Sequence, residues 1–143
     1  MATDMSQVFT WPVRIYYEDT DAGGIVFYAN YLKFFERART EWLRALGVDQ
    51  HALAQEDGAI FVVKHASIDY QAPARLDDVL NLTLSIEKLG RASVHFVQQA
   101  HCGELLLASA QVKVGCVDAT TLRPRALPPA TAAKMRPPER LPG

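Results

Sequence analysis

The sequence has little of what several protein classes require. Acidic and basic residues nearly balance, at 16 and 15 for a formal net charge of −1, and their interspersion excludes a broad face for nucleic acid or another polyanion. No segment approaches the ~20 apolar residues of a membrane span. The opening Met-Ala-Thr-Asp-Met-Ser-Gln lacks the basic and then apolar run of a secretion signal, so a soluble cytoplasmic protein is expected. Cysteine is scarce. Cys102 and Cys116 stand alone, outside any CxxC or Cys/His cluster, and both are expected as small core residues of a reduced protein. His51, His65, His95 and His101 lack the spacing of a metal site, and no GxSxG elbow is present for a serine hydrolase. Neither a metal nor a cofactor is called for.

What is present is enough for one domain. With 143 residues and 49% of them hydrophobic, the chain can bury a substantial core. Residues 8–18 are β-branched and aromatic and read as a first strand, with Pro12 placing it at a sheet edge. From Asn30 the period changes to three and four: Tyr31, Phe34, Phe35, Ala38, Trp42, Leu43 and Leu46 form an apolar stripe opposite charged residues. This predicts a long helix with Asn30 as N-cap and Gly47 as its stop. A shorter helix is expected over 49–56, turning out at Asp57-Gly58.

Beyond Gly58 the period is two. Residues 60–71, 79–89, 92–102 and 105–117 read as strands of an antiparallel meander, with an irregularity in the first of them and tight turns at Gly90 and Gly103. On that hairpin Cys102 and Cys116 lie about 11 rises, or ~37 Å, apart and cannot form a bridge. Pro and Arg then dominate. The expected organisation is a single domain over 1–125 and a Pro-rich tail over 126–143, holding a loop, one short helix and a disordered end. A sheet with one apolar face must wrap the long helix, giving an α+β fold. Its exposed edges call for at least a homodimer.

The chemistry is expected at residues 18–31, Glu-Asp-Thr-Asp-Ala-Gly-Gly-Ile-Val-Phe-Tyr-Ala-Asn-Tyr. Two carboxylates and a glycine pair stand immediately before the long helix, whose opening N–H groups lack intrahelical acceptors. A carboxylate beside a carbonyl polarised by a helix N-terminus suits a hydrolase. Taken alone, the same string is also ordinary turn and cap chemistry.

The residues from Tyr16 to Val26, followed by Ala29-Asn30-Tyr31 and 35–41, Phe-Glu-Arg-Ala-Arg-Thr-Glu, carry a resemblance. With Ile68-Asp69-Tyr70 and 73–78, Pro-Ala-Arg-Leu-Asp-Asp, they resemble the hotdog-fold thioesterases. The resemblance is to the 4-hydroxybenzoyl-CoA thioesterase family, and within it to the acyl-CoA thioesterases associated with the Tol-Pal system. It implies a hotdog fold: a five-stranded antiparallel sheet wrapped around one long helix, with a short second helix. It further implies hydrolysis of acyl-CoA to free acid and CoA, with Asp21 as the catalytic carboxylate and the backbone N–H of Tyr28 as the oxyanion donor. Gly24 would give close backbone approach. Arg91, in the Lys88–Ser93 turn, would meet the CoA phosphates.

By the same resemblance the CoA moiety lies at a subunit interface of a homodimer or homotetramer, and acyl carrier protein is a further partner. Glu18 and Asp19 are the rival acids, expected to be structural or solvent-facing. One departure stands out: many Tol-Pal-associated members carry histidine where this chain has Tyr28, whereas members acting on aromatic substrates tend to carry tyrosine. Two other readings remain open on the sequence. One is a hotdog hydratase or dehydratase, for which the loop-helix block lacks a histidine; the other is a non-hydrolytic module that binds acyl carrier protein or a membrane-associated complex.

Overall fold

The computed structural model describes residues 8–136. In chain order its elements are β1 (Phe9–Arg14), α1 (Asn30–Ala45), α2 (Gln50–Ala52), β2 (Ala59–Tyr70), β3 (Val79–Leu89), β4 (Ser93–Cys102), β5 (Leu105–Asp118) and α3 (Pro129–Met135). A 3₁₀ turn covers Tyr17–Asp19, and α2 runs on into a wider π turn over Leu53–Asp57. The expected end of the Pro-rich tail, at 137–143, lies outside the described residues.

The strands form one antiparallel sheet in the order β1-β3-β4-β5-β2, wrapped around α1, which is the hotdog arrangement. Alternation in β3 and β4 turns Leu80, Leu82, Leu84, Val94, Phe96, Gln98 and Ala100 into the buried face. Helix α1 meets that face with Tyr31, Phe34, Phe35, Ala38, Trp42 and Leu43, all buried, and Trp42 packs edge-on to Phe96 at 5.3 Å between ring centroids. Gly47, at φ +81°, ends α1 in a Schellman motif: its N–H donates to the Arg44 carbonyl and that of Val48 to the Leu43 carbonyl. Leu127, Thr131 and Met135 bring the segment around α3 into the core.

Three expectations need correction. β2 to β5 are not one meander: only β3, β4 and β5 follow as neighbours, while β2 lies beyond β5 at the far edge. The reason is the connection 71–78. It leaves the strand after Tyr70 and is tied down instead: the Gln71 and Ala72 N–H groups donate to the Leu107 carbonyl and the Val26 N–H donates to the Ala74 carbonyl. The first strand stops at Arg14, because the Asp19 carboxylate accepts the Tyr16 N–H at 2.8 Å and folds the chain into the 3₁₀ turn. Asn30 is not the N-cap of α1. Ala29 occupies that position with near-helical dihedrals of −65° and −20°, so Asn30 lies inside the helix and its side chain reaches elsewhere.

Asp49 is a true cap. Its Oδ1 accepts from His51 N at 2.9 Å and Ala52 N at 3.1 Å, so Asp49→Ala is expected to lower stability by about 1 kcal/mol, measured by urea denaturation. No helix among the described residues is long and apolar enough to cross a membrane.

Candidate active site

The acidic loop is a tight reversal that holds its own carboxylate. Asp21 N donates to the Ile25 carbonyl at 2.9 Å and Gly24 N to the Asp21 carbonyl at 3.0 Å, while Thr20 and Val26 bridge just outside. Within the turn, Gly23 N donates to Asp21 Oδ1 at 2.8 Å. Two glycines permit this. Gly24 sits at φ +79°, a left-handed conformation that strains other residues, and a Cβ on Gly23 would lie 3.3 Å from Asp21 Oδ1. The Asp21 carboxylate is solvent-exposed, and its Oδ2 has no hydrogen-bond partner among the described residues.

The loop is bonded to the start of α1 through a single carbonyl. Asp19 O accepts the Asn30 Nδ2 at 2.8 Å and the Phe27 N–H at 3.3 Å. Asn30 N–H in turn donates to Phe27 O at 2.9 Å, and Tyr31 N–H to Tyr28 O at 3.2 Å. The N–H groups of Tyr28 and Ala29 have no protein acceptor among the described residues, as the geometry of a helix opening requires. Asp21, Gly24 and Tyr28 thus belong to one hydrogen-bonded unit: an exposed carboxylate, a stretch of backbone without side chains, and donor amides at the positive end of α1.

Tyr28 also carries the aromatic rim of this unit. Its ring is 61% exposed and lies 4.9 Å from Phe27 and 5.7 Å from Tyr70, while Tyr70 Oη donates to the Tyr28 carbonyl at 3.1 Å. Partial burial, and then the neighbouring Tyr28, raise the Tyr70 pKa, so its hydroxyl keeps the proton it donates. Asn30 and Tyr70 escaped the sequence reading. The first reads as a cap, and the second, within the Ile68-Asp69-Tyr70 stretch of the resemblance, carries no role there.

Arg91 is placed apart from these groups. It is exposed in the β3–β4 turn, ten residues of strand beyond Val79, or ~34 Å along β3, whereas the acidic loop bridges through Ile25 and Arg75 to the connection that leads into β3. One copy of the chain does not bring Arg91 to Asp21. Of the rival acids, Glu18 faces solvent and Asp19 caps the Tyr16 N–H. A cavity of about 90 Å³ lies along the later turns of α1, lined by Arg39, Thr40, Leu43, Phe61, Phe96 and Met135 among others; Asp21 does not reach it.

Residues 15–135 match the family model of the thioesterase-like superfamily. The chain belongs to this superfamily. Among its thioesterase relatives is acyl-CoA thioesterase YbgC of Haemophilus influenzae, 48% identical over 120 residues that cover 84% of this chain and 88% of that protein. Acyl-CoA thioester hydrolase YbgC of Escherichia coli O6:H1 is 47% identical over 130 residues, covering 90% and 96%. In three dimensions the chain resembles the crystal structure of a probable thioesterase from Bartonella henselae, with a TM-score of 0.81 and 35% identity over 85% of this chain and 99% of that one. The thioesterase match spans α1, the whole sheet after β1, and the acidic loop.

Proposed function

We propose that this protein is an acyl-CoA thioesterase, releasing free acid and CoA, with Asp21 as the catalytic carboxylate and the opening amides of α1 as the oxyanion site. The observation that carries the assignment is the Asp19 carbonyl, which accepts from both Phe27 and Asn30 and so fixes the carboxylate loop to the helix start. Asp21 then either attacks the thioester carbon, giving a mixed anhydride that water opens, or takes a proton from water that attacks in its place. In both routes the C–S bond breaks, the thiolate of CoA leaves, and negative charge passes through the carbonyl oxygen. The Tyr28 N–H meets that charge through a backbone donor, which the tyrosine side chain does not alter. Gly24 keeps the approach clear.

The protein acts in the cytoplasm as a homodimer or homotetramer, and a second copy completes the site. β2 is a 12-residue edge strand whose stretch from Val63 to Ser67 is exposed, and such an edge is a template for pairing. CoA then lies at the subunit interface, where Arg91 of a second copy supplies a cation for its phosphates.

The test is thiol release from a panel of short aliphatic, long aliphatic and benzoyl-type CoA thioesters, together with acyl carrier protein thioesters. Turnover of at least one is expected; binding without turnover of any would overturn the assignment. Asn30→Ala is expected to lower kcat about ten-fold through misplacement of the loop, and to lower stability by about 1 kcal/mol through the lost hydrogen bond. Steady-state kinetics and a thermal melt measure the two.

A further inference from the structure

The strand β2 ends on Tyr70, whose register partner in β5 is Ala108, yet its side chain crosses to the start of α1, 42 residues away in sequence. An exposed tyrosine at a strand end can give its hydroxyl to water. This one is directed by two edge-to-face contacts, with Tyr28 at 5.7 Å and 78° and with Tyr31 at 5.5 Å and 66°, onto the Tyr28 carbonyl.

That carbonyl already accepts the Tyr31 N–H, so it takes two donors. The carbonyl of Tyr28 and the N–H of Ala29 share one planar peptide, and a bond to the first fixes the direction of the second. It also polarises the second as a donor. The preceding peptide, which carries the Tyr28 N–H, is held by the Asn30 N–H on the Phe27 carbonyl. Among the described residues, Tyr70 is the only group from outside the helix start that bonds to either peptide carbonyl. Helix openings fray when their bonds are all internal. Here one bond comes from the sheet.

We infer that Tyr70 is a positioning residue for thioester hydrolysis, clamping the first turn of α1 so that its unpartnered amides stay aimed at the oxyanion while the reaction proceeds. The inference rests on the assignment of those amides to the oxyanion site. It separates Tyr70 from the groups that touch substrate: Tyr70 acts on the direction of a donor, and its loss lowers the rate of the chemical step rather than the binding of CoA.

The experiment compares Tyr70→Phe, Tyr70→Ala and Asp21→Asn on one acyl-CoA that the wild type hydrolyses. Tyr70→Phe keeps the ring and its contacts and loses only the hydroxyl. It is expected to lower kcat about five- to ten-fold with KM within about two-fold and an unchanged melting temperature. Tyr70→Ala, which also loses the ring, is expected to fall further in kcat. Wild-type kcat in Tyr70→Phe beside an inactive Asp21→Asn would overturn the role of Tyr70 alone. A lower melting temperature with kcat and KM shifted together in Tyr70→Phe would make the residue structural and overturn it as well. Full activity of Asp21→Asn would overturn the assignment of the site itself.

Discussion

Asp21→Asn is expected to reduce acyl-CoA hydrolysis on the order of 10³-fold or more while leaving the melting temperature unchanged within about a degree. The two halves of that expectation have separate causes. The fold asks one thing of the side chain, an oxygen that accepts the Gly23 N–H at 2.8 Å, and the amide oxygen of asparagine supplies it in the same place. The carboxylate is exposed, so removing its charge relieves no burial and breaks no ion pair among the described residues. The reaction asks for negative charge, which asparagine lacks in either role, nucleophile or base. Thiol-release kinetics and a thermal melt of the same preparation measure both halves. A rate near that of the wild type would move the chemistry to another residue.

Gln98→Leu should produce the largest loss of stability from a single polar side chain. Gln98 is fully buried in β4; its Oε1 accepts from Arg39 Nη1 at 2.9 Å and its Nε2 donates to the Phe35 carbonyl at 3.0 Å. Desolvation holds the Arg39 pKa below the usual arginine value, with Glu36 acting in the opposite direction, so the guanidinium sits where charge is disfavoured. Leucine fills the space but leaves both the guanidinium and a helix carbonyl short of a partner. The expected cost is about 2–4 kcal/mol, or a melting temperature lower by roughly 10 °C. The double variant Gln98→Leu, Arg39→Met should recover much of it, since removing both partners of a buried polar pair costs less than stranding one. Denaturant titration of the two variants reads the difference. An unchanged midpoint for Gln98→Leu would show that water in the adjoining cavity satisfies Arg39.

Gln98 also shows how far the sequence could be read. Alternation with Val94, Phe96 and Ala100 places it on the buried face of its strand, but its reason for being there stands 59 residues away on α1. Periodicity carries orientation; it does not carry partners. The long helix and β3 were legible because each follows one period along its length, from Tyr31 to Leu43 and from Leu80 to Ile86. The first strand was read too long because Tyr16 and Tyr17 have strand propensity, while the bond from Asp19 to the Tyr16 N–H that bends the chain leaves no mark in a propensity scale. Sheet order was hidden for a related reason. The neighbours of β2 and β1 are chosen by long-range pairing and by the anchored 71–78 connection.

At the proposed site, the acidic residues, the glycine pair and the helix opening were legible as a loop because they are contiguous in sequence, whereas the choice of Asp21 among the acids came from the family resemblance. Asn30 resembled a cap because asparagine before an apolar period usually is one. Only the structure shows its amide turned back onto Asp19, which converts a helix-start residue into the tie between acid and donor. Tyr70 needed the fold outright, since nothing near it in sequence points to Tyr28.

The most direct measurement is a crystal structure of the protein with an unreactive acyl-CoA analogue whose thioester sulfur is replaced by a methylene group. The ketone oxygen is expected at about 2.7–3.1 Å from the N–H of Tyr28 or Ala29, with the Asp21 carboxylate or its bound water facing the carbonyl carbon. An analogue bound with its carbonyl remote from the first turn of α1, or with Asp21 turned away from it, would rule out Asp21 and the helix opening as the hydrolytic site.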